Sequence, residues 1–262
     1  MGSLTNLSFF SGYGGLDLGA KMVGGIQTVG YCEVGRYAQG VLRSRIAEDG
    51  LDDAPIWDDV KTFDGRPWRG VDIVSGGFPC PDISGAAVAE GKGIEEGTRS
   101  GLFYEQMRVC REVGPKFILL ENVARLLVYP GIHKVLGELA SMGFDAGWKI
   151  ISASAIGARH RRKRIWIVAY PHGVRWIKNE DASKNLRERR SLPQKTWDFN
   201  GTSVGFENSD RLWCFPDTTL ERNLNGFAYW VDRLECCGNG VVPQQSIPAW
   251  EEIKRLSNLA YG

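Results

Sequence analysis

The chain has 262 residues, 43% hydrophobic and 24% charged, which suits one large α/β domain with at most a small appendage. No apolar run reaches the ~18 residues of a membrane helix. Six irregularly spaced cysteines without paired CxxC motifs argue against a disulfide framework and a zinc site. We therefore expect a cytoplasmic protein without a metal. The net charge of +1 does not indicate any partner.

The first two-thirds of the chain alternates short β-rich runs with amphipathic stretches, which is typical of parallel βαβ units. Strands are predicted at 4–10, 26–33, 71–77, 116–123, 147–154 and 164–170, and helices at 15–23, 34–47, 102–113 and 132–142. This order predicts an α/β fold with a doubly wound, mostly parallel sheet.

The pattern changes after Pro171, where the chain becomes polar, basic and rich in Gly, Asn, Ser and Pro. Helical periodicity returns at 246–259. We therefore predict three regions: a main domain over 1–170, a small irregular insert over 171–225, and a segment over 226–262 that returns to the main domain. The insert contains five aromatic residues, and we expect them to form a small hydrophobic core rather than platforms on which bases stack.

A glycine-rich turn follows the first strand, with Gly12, Gly14 and Gly15 in the run FFSGYGG. Glycines there let the backbone approach a ligand at the carboxyl end of a strand. Glu33, at the end of the next strand, is placed to accept hydrogen bonds from ribose hydroxyls, and Asp59 could accept an adenine amine. Each acid alone could equally be a surface cap, but together they outline an adenosine pocket.

Further chemical groups follow the later strands. Cys80 lies in the loop GGFPCPDIS, Glu121 begins the run ENV, and Arg162 and Arg164 lie two apart before another strand. A lone cysteine is commonly a buried structural residue, but prolines on both sides favour an exposed loop. The ends of such strands are where catalytic groups collect.

The order of these blocks resembles the DNA cytosine-5 methyltransferase family. FFSGYGG, FPC, ENV, HRRKR and GNGVVP are similar to five of its motifs, and the likeness covers nearly all the chain outside about 171–225. The resemblance implies a Rossmann-like catalytic and cofactor-binding domain over 1–170, a target-recognition insert, S-adenosyl-L-methionine as cofactor and double-stranded DNA as partner. We expect a monomeric enzyme of a bacterium or phage.

The resemblance also implies roles for individual residues. Cys80 would add to carbon 6 of a flipped cytosine, Glu121 would protonate ring nitrogen 3, Arg164 would hold the base oxygen, and Arg162 would support Cys80 or a phosphate. Ser84 and Arg99 would belong to a loop that closes over the base. The implied cofactor contacts are Phe10, Ser11, Gly12, Gly14, Gly15, Glu33, Asp59, Val60, Leu102 and Asn239.

Three departures from the family pattern concern the base and the target sequence. Pro81 follows the cysteine where the family has glutamine, and His160 replaces the glutamine of the arginine motif. The insert is also short, which predicts a short target or weak selectivity, since each good bidentate contact gives roughly 1–3 kcal/mol.

Between Arg159 and Lys195 the chain carries twelve Lys or Arg against three acids, which would attract a polyanion. Candidate DNA contacts there are Arg175, Lys178, Arg187, Arg189, Arg190 and Lys195, although most would be phosphate contacts or solvated charge. Three alternatives remain open: methylation of cytosine in transfer RNA, an inactive DNA-binding homologue, and an enzyme whose specificity requires a second chain.

Overall fold

A seven-stranded sheet organises the computed structural model, which describes residues 2–79, 101–127, 131–158, 161–173 and 240–262. The strands are β1 (Leu4–Phe9), β2 (Ile26–Cys32), β3 (Ile56–Trp57), β4 (Ile73–Gly76), β5 (Phe117–Val123), β6 (Phe144–Ser152) and β7 (Lys163–Pro171). Their order is β3-β2-β1-β4-β5-β7-β6. The first five strands are parallel, and β7 is antiparallel to both β5 and β6.

This strand order creates a topological switch point. From β1 the chain moves outward through β2 to β3, and then returns to place β4 on the other side of β1. The crossover connections on the two sides of such a point separate, which leaves a crevice at the carboxyl ends of the strands. The ends of β1 and β4 are therefore where a ligand site is expected.

Five helices of the described residues cover the sheet: α1 (Gly15–Val23), α2 (Arg36–Ala47), α3 (Leu102–Val113), α4 (Gly131–Ser141) and α5 (Pro243–Tyr261). Alternate residues of β5 point to opposite faces, as the period of a strand requires. Ile118 and Leu120 pack with α3 and α4, whereas Phe117 and Leu119 pack with α1 and α5. Both faces are buried, which explains why β5 is a continuous apolar run.

The predicted α/β, doubly wound fold is confirmed, since β1 to β5 form a parallel sheet with helices on both faces. The helices at 15–23 and 102–113 have the predicted bounds. The last helix is longer than predicted, because it begins at Pro243, a residue that suits the first turn of a helix. None of the described helices has the length and apolar character needed to cross a membrane.

Most of the predicted insert lies outside the described residues, so its boundaries stay a prediction. The described parts before residue 174 and after residue 239 belong to one compact unit. Helix α5 joins this unit through Trp250, whose indole N–H donates to the Leu16 carbonyl at 3.0 Å. Lys254 caps the end of α1 by donating to the Gly24 carbonyl at 2.9 Å.

Candidate active site

The glycine turn after β1 has a backbone that few side chains tolerate. Gly12 and Gly14 have φ of 55° and 79°, and Phe10 has φ of 51°, a left-handed conformation that is uncommon for a non-glycine residue. Such strain persists where the surroundings impose it, often next to a ligand. A Cβ atom on Gly12 would meet only the Phe10 carbonyl oxygen, at 4.0 Å, so the turn has room for a ligand to approach.

Glu33 joins the end of β2 to this turn. Its Oε2 accepts the Gly12 N–H at 2.8 Å, and its Oε1 accepts the Gly35 N–H at 2.7 Å. A carboxylate has about four lone-pair positions, so Glu33 can still accept hydrogen bonds from a ligand. The predicted ribose contact thus lies beside the predicted glycine turn, a pairing that fits an adenosine moiety.

The remaining described cofactor candidates lie around the same edge of the sheet. Asp59 begins a short 3-10 turn, and its Oδ1 accepts the Lys61 N–H at 2.9 Å, so the acid acts as a cap. Val60 is buried beneath it, and Leu102 begins α3 and packs against the same apolar cluster. Ser11 is buried and donates to the Ser8 carbonyl at 3.0 Å. These positions are compatible with the predicted pocket, and their cofactor contacts stay predictions.

Glu121 and Arg164 form an ion pair near the end of β5. Arg164 Nε lies 2.8 Å from Glu121 Oε1, and only 15% and 8% of the two side chains are exposed. The antiparallel pairing of β5 with β7 sets Val123 opposite Arg164, which brings the arginine to the acid. A carboxyl group and a guanidinium predicted from separate motifs are therefore in contact.

Burial raises the pKa of Glu121 above its usual value, while the positive charges of Arg164 and Arg162 oppose that rise. Loss of hydration penalises the charged carboxylate, and nearby cations favour it. Burial has the larger effect, so the net direction is upward. Glu121 is therefore a carboxyl group that can hold a proton closer to neutral pH than a surface glutamate.

The residues just before Cys80 are hydrogen-bonded to the end of β5. Asn122 Nδ2 donates to the Phe78 carbonyl at 3.1 Å, two residues before the cysteine. A Cβ atom on Gly77 would lie 2.6 Å from Glu121 Oε2, so a larger residue there would displace the carboxyl group. The first described range ends at Pro79, so Cys80 itself lies outside the described residues. The residues just before it, Gly77 and Phe78, lie beside Glu121 and Asn122.

The start of the C-terminal segment closes onto the glycine turn. Tyr13 donates its hydroxyl to the Val241 carbonyl at 2.8 Å. A Cβ atom on Gly240 would overlap the Tyr13 ring, and one on Gly15 would lie 2.3 Å from the Val241 carbonyl oxygen. Arg45 donates to the Tyr13 carbonyl at 2.8 Å. The GNGVVP block is thus held directly against the FFSGYGG block.

Several predicted site residues lie outside the described residues, so the structure does not bring them to the site or separate them from it. They are Cys80, Ser84, Arg99, Asn239 and the DNA-contact candidates Arg175, Lys178, Arg187, Arg189, Arg190 and Lys195. Pro81 and His160 also lie outside. Within the described ranges, no three His, Cys, Asp or Glu side chains cluster in a way that could hold a metal ion.

A buried polar network centred on Asp17, in the first turn of α1, was not predicted from the sequence. Asp17 accepts hydrogen bonds from Ser8 Oγ and Thr28 Oγ1, both at 3.0 Å, and from Asn6 Nδ2 at 3.4 Å. Polar residues at alternate positions of β1, inside an otherwise apolar strand, are the signal that could have revealed it. Tyr13 was missed as well, because nothing in a glycine-rich run indicates which side chain contacts a distant segment.

The chain matches the family described as C-5 cytosine-specific DNA methylase over residues 4–213. It therefore belongs to this family.

Named relatives share this family pattern over most of the chain. The type II methyltransferase M.CviJI of Paramecium bursaria Chlorella virus IL3A is 30% identical over 251 residues, 95% of this chain and 62% of that protein. M.NgoMIV of Neisseria gonorrhoeae is 31% identical over 197 residues, 70% of this chain and 59% of that protein. The chain thus spans about three-fifths of the length of these relatives.

The fold is shared with a solved structure of a Spodoptera frugiperda DNMT2 mutant. The match has a TM-score of 0.55 and covers 68% of this chain and 53% of that one. At 17% identity this likeness supports the fold alone.

Proposed function

We propose that this protein methylates carbon 5 of cytosine in double-stranded DNA, with S-adenosyl-L-methionine as methyl donor and Cys80 as nucleophile. The observation that carries the proposal is the buried Glu121–Arg164 pair, packed against Gly77 on the approach to Cys80. Family membership supplies the reaction class, and the residues needed for that reaction are present in the sequence.

Cytosine carbon 5 is a poor nucleophile, so the ring must first be activated. In the proposed reaction the Cys80 thiolate adds to carbon 6, and the displaced electron pair moves toward ring nitrogen 3. Glu121 in its protonated form donates to that nitrogen, a role that its raised pKa supports. Carbon 5 then takes the methyl group, and the sulfonium leaves as a neutral thioether. Carbon 5 gives its own proton to a base, nitrogen 3 returns its proton to Glu121, and the carbon–sulfur bond breaks to release Cys80 as the thiolate.

Arg164 holds Glu121 and can also donate to the base oxygen, since a guanidinium has five N–H donors. Cys80 must reach carbon 6 from a face of the ring, and Glu121 must reach nitrogen 3 at its edge. A base stacked in the duplex does not allow this, so the nucleotide must be flipped out, at a cost of a few kcal/mol. S-adenosyl-L-methionine supplies the methyl group as an electrophilic sulfonium. The glycine turn and Glu33 support its adenosine end, because they offer free backbone space and carboxylate acceptors.

A direct test is methyl transfer from tritiated S-adenosyl-L-methionine to duplex DNA and to transfer RNA side by side. The proposal expects label in DNA, and Cys80→Ser should abolish it, because a hydroxyl ionises far less readily than a thiol. Label only in transfer RNA would replace DNA as the substrate, and full activity of Cys80→Ser would exclude this nucleophile.

The covalent step has its own test. DNA with fluorine at carbon 5 of cytosine should trap a complex linked through Cys80, since the final proton loss is blocked. Peptide mapping would identify the attached residue, and Cys110→Ser, at a buried thiol far along the chain, is the matched control that should still be trapped. Bisulfite sequencing of treated plasmid DNA would then define the target, and methylation without sequence preference would contradict a recognition role for the insert.

A further inference from the structure

Gln245 is a fully buried polar residue in the first turn of α5, directly after the GNGVVP block. Its amide nitrogen donates to the Ile151 carbonyl at 3.0 Å and to the Arg162 carbonyl at 2.8 Å. A glutamine amide has two N–H donors, so both are used by the backbone of other elements. This side chain therefore links the C-terminal helix to two strands of the sheet.

The two carbonyls lie where the end of β6 pairs with the start of β7. Ile151 lies near the end of β6, and Arg162 immediately precedes β7. Arg162 also accepts the Ala153 N–H at 2.9 Å, so its carbonyl has two donors. The backbone from which both arginine side chains extend is thus fixed at its first residue by Gln245.

Fixing this backbone has a consequence for Glu121. Arg164, two residues along the extended chain, lies on the same side as Arg162 and pairs with Glu121 at 2.8 Å. The charge of Arg162 also lowers the pKa of Glu121. A shift of the backbone at Arg162 would therefore change the position of both positive charges relative to the acid.

We propose that Gln245 is a positioning residue for the arginine pair: by holding the Arg162 carbonyl, it sets how Arg162 and Arg164 meet Glu121. The role of this contact in methyl transfer rests on the proposed function. The contact couples the segment that closes the glycine turn, through Tyr13 and Val241, to the acid on the neighbouring strand. One short stretch, 240–245, thus touches both halves of the site.

The variant that tests the inference is Gln245→Met, which keeps the length and approximate volume of the side chain and removes both donors. We expect the single-turnover rate of methyl transfer to fall about tenfold, while the dissociation constant of S-adenosyl-L-methionine, measured by calorimetry, stays within about twofold. Ser246→Ala is the matched control, because its hydroxyl donates only within the helix, to the Pro243 carbonyl at 2.6 Å. The control should keep both values.

A mutant cycle asks whether Gln245 acts through the arginine pair. In an Arg162→Ala/Arg164→Ala background, both arginine side chains that Gln245 positions are gone, so Gln245→Met should lower the remaining rate much less than it lowers the rate of the wild type. An equal loss in both backgrounds, or a wild-type rate in Gln245→Met, would overturn the inference.

A readout independent of activity separates this inference from the proposed function. With carbon-13 labelled glutamate, the pKa of Glu121 can be followed by NMR in wild type and in Gln245→Met. Displaced arginine charges would favour the carboxylate less, so the pKa should rise in Gln245→Met and not in Ser246→Ala. A rise without any DNA methylation by the wild type would keep the positioning role and reject the function, and an unchanged pKa would reject the positioning role.

Discussion

Two buried carboxyl groups have different surroundings: Asp17 lies in the first turn of α1, and Glu121 lies near the end of β5. Asp17 is enclosed by the neutral side chains of Asn6, Ser8 and Thr28. Glu121 is enclosed by Arg162 and Arg164. Burial raises the pKa of both acids, to about 6 for Asp17. A buried acid with a raised pKa is therefore not by itself a sign of catalysis. The residues that contact the acid, and whether a substrate can reach it, distinguish a catalytic acid from a structural one.

The two networks also differ in how fully the acid is satisfied. Both oxygens of Asp17 accept hydrogen bonds from side chains held on β1 and β2, so the group is a structural centre. Glu121 Oε1 lies 2.8 Å from Arg164 Nε but has no well-aligned hydrogen bond among the described residues, and Oε2 lies against Gly77, three residues before Cys80 in the sequence. This difference predicts that changes at Glu121 alter the reaction, whereas changes at Asp17 alter stability.

The largest expected effect on the reaction comes from Glu121→Gln. An amide can still hydrogen-bond to the base but cannot give up a proton, so kcat should fall roughly 10²–10⁴-fold, the range of general acid catalysis. The affinity for S-adenosyl-L-methionine should stay within about twofold. Rapid-quench kinetics and calorimetry would measure the two, and a parallel loss of rate and affinity would contradict the proposed role.

The pH dependence gives the matching control for this variant. Since the proposed donor is the protonated form of Glu121, wild-type kcat should fall as the pH rises through its raised pKa. That alkaline limb should disappear in Glu121→Gln, whereas Asp17→Asn should retain it. Retention of the limb without Glu121 would assign it to another group.

A smaller effect is expected from Gly77→Ala. A Cβ atom there would lie 2.6 Å from Glu121 Oε2, so the carboxyl group must move relative to Arg164. We expect kcat to fall roughly 10–100-fold with a modest loss of melting temperature, since the displaced atoms end a side chain. Gly137→Ala is the matched control, because no atom lies within 4 Å of its added Cβ. Equal behaviour of the two variants would remove the packing argument.

Asp17→Asn tests the structural half of the comparison. Folding raises the pKa of Asp17 from 3.8 to about 6, so the folded state holds the proton more tightly. Its contribution to the free energy of unfolding is therefore largest below pH ~4 and is lost as the pH rises through about 6. The difference of about two pH units corresponds to ~3 kcal/mol.

Urea denaturation of wild type and Asp17→Asn between pH 4 and pH 7 would measure this contribution. The variant lacks the titrating group, so its stability relative to the wild type should improve by ~2 kcal/mol across that range, which does not reach the low pH where the full difference is present. The buried Asn6 Oδ1 has no hydrogen bond among the described residues, so a rotated Asn6 amide could accept from the new amide. A constant difference in stability between the two proteins would show that the pKa of Asp17 does not change on folding.

How far the sequence predicts this molecule differs between the fold and the site. Apolar runs predicted β4 and β5, because strands buried on both faces are continuous in the sequence. The end of β1 was predicted from the glycine-rich turn that follows it. The Glu121–Arg164 contact could not be derived from pattern alone, since it depends on the antiparallel pairing of β5 with β7. The family resemblance selected both residues without giving their contact. Gln245 and Tyr13 act across more than 80 and 200 residues of sequence, a separation that no local pattern encodes.

The smallest expected effect comes from Tyr13→Phe, which separates the cofactor half of the site from the acid half. The change removes one hydrogen bond to Val241 and keeps the ring that packs on Gly240. The loss of such a bond is worth about 0.5–1.5 kcal/mol, so the affinity for S-adenosyl-L-methionine should fall up to about tenfold. The rate at saturating cofactor should not change, because Glu121 and its arginines are untouched.

Tyr261→Phe is the matched control for this variant, since its ring is half exposed at the end of α5 and lies against Lys116 and Phe117. Calorimetry, kcat at saturation and melting temperature together distinguish the possibilities. A lower affinity with unchanged kcat would mean that the glycine turn and the C-terminal segment act on cofactor binding alone. A lower melting temperature with unchanged affinity would make Tyr13 a structural tie, like Asp17, and the boundary between the structural and the functional region would then run through the glycine turn itself.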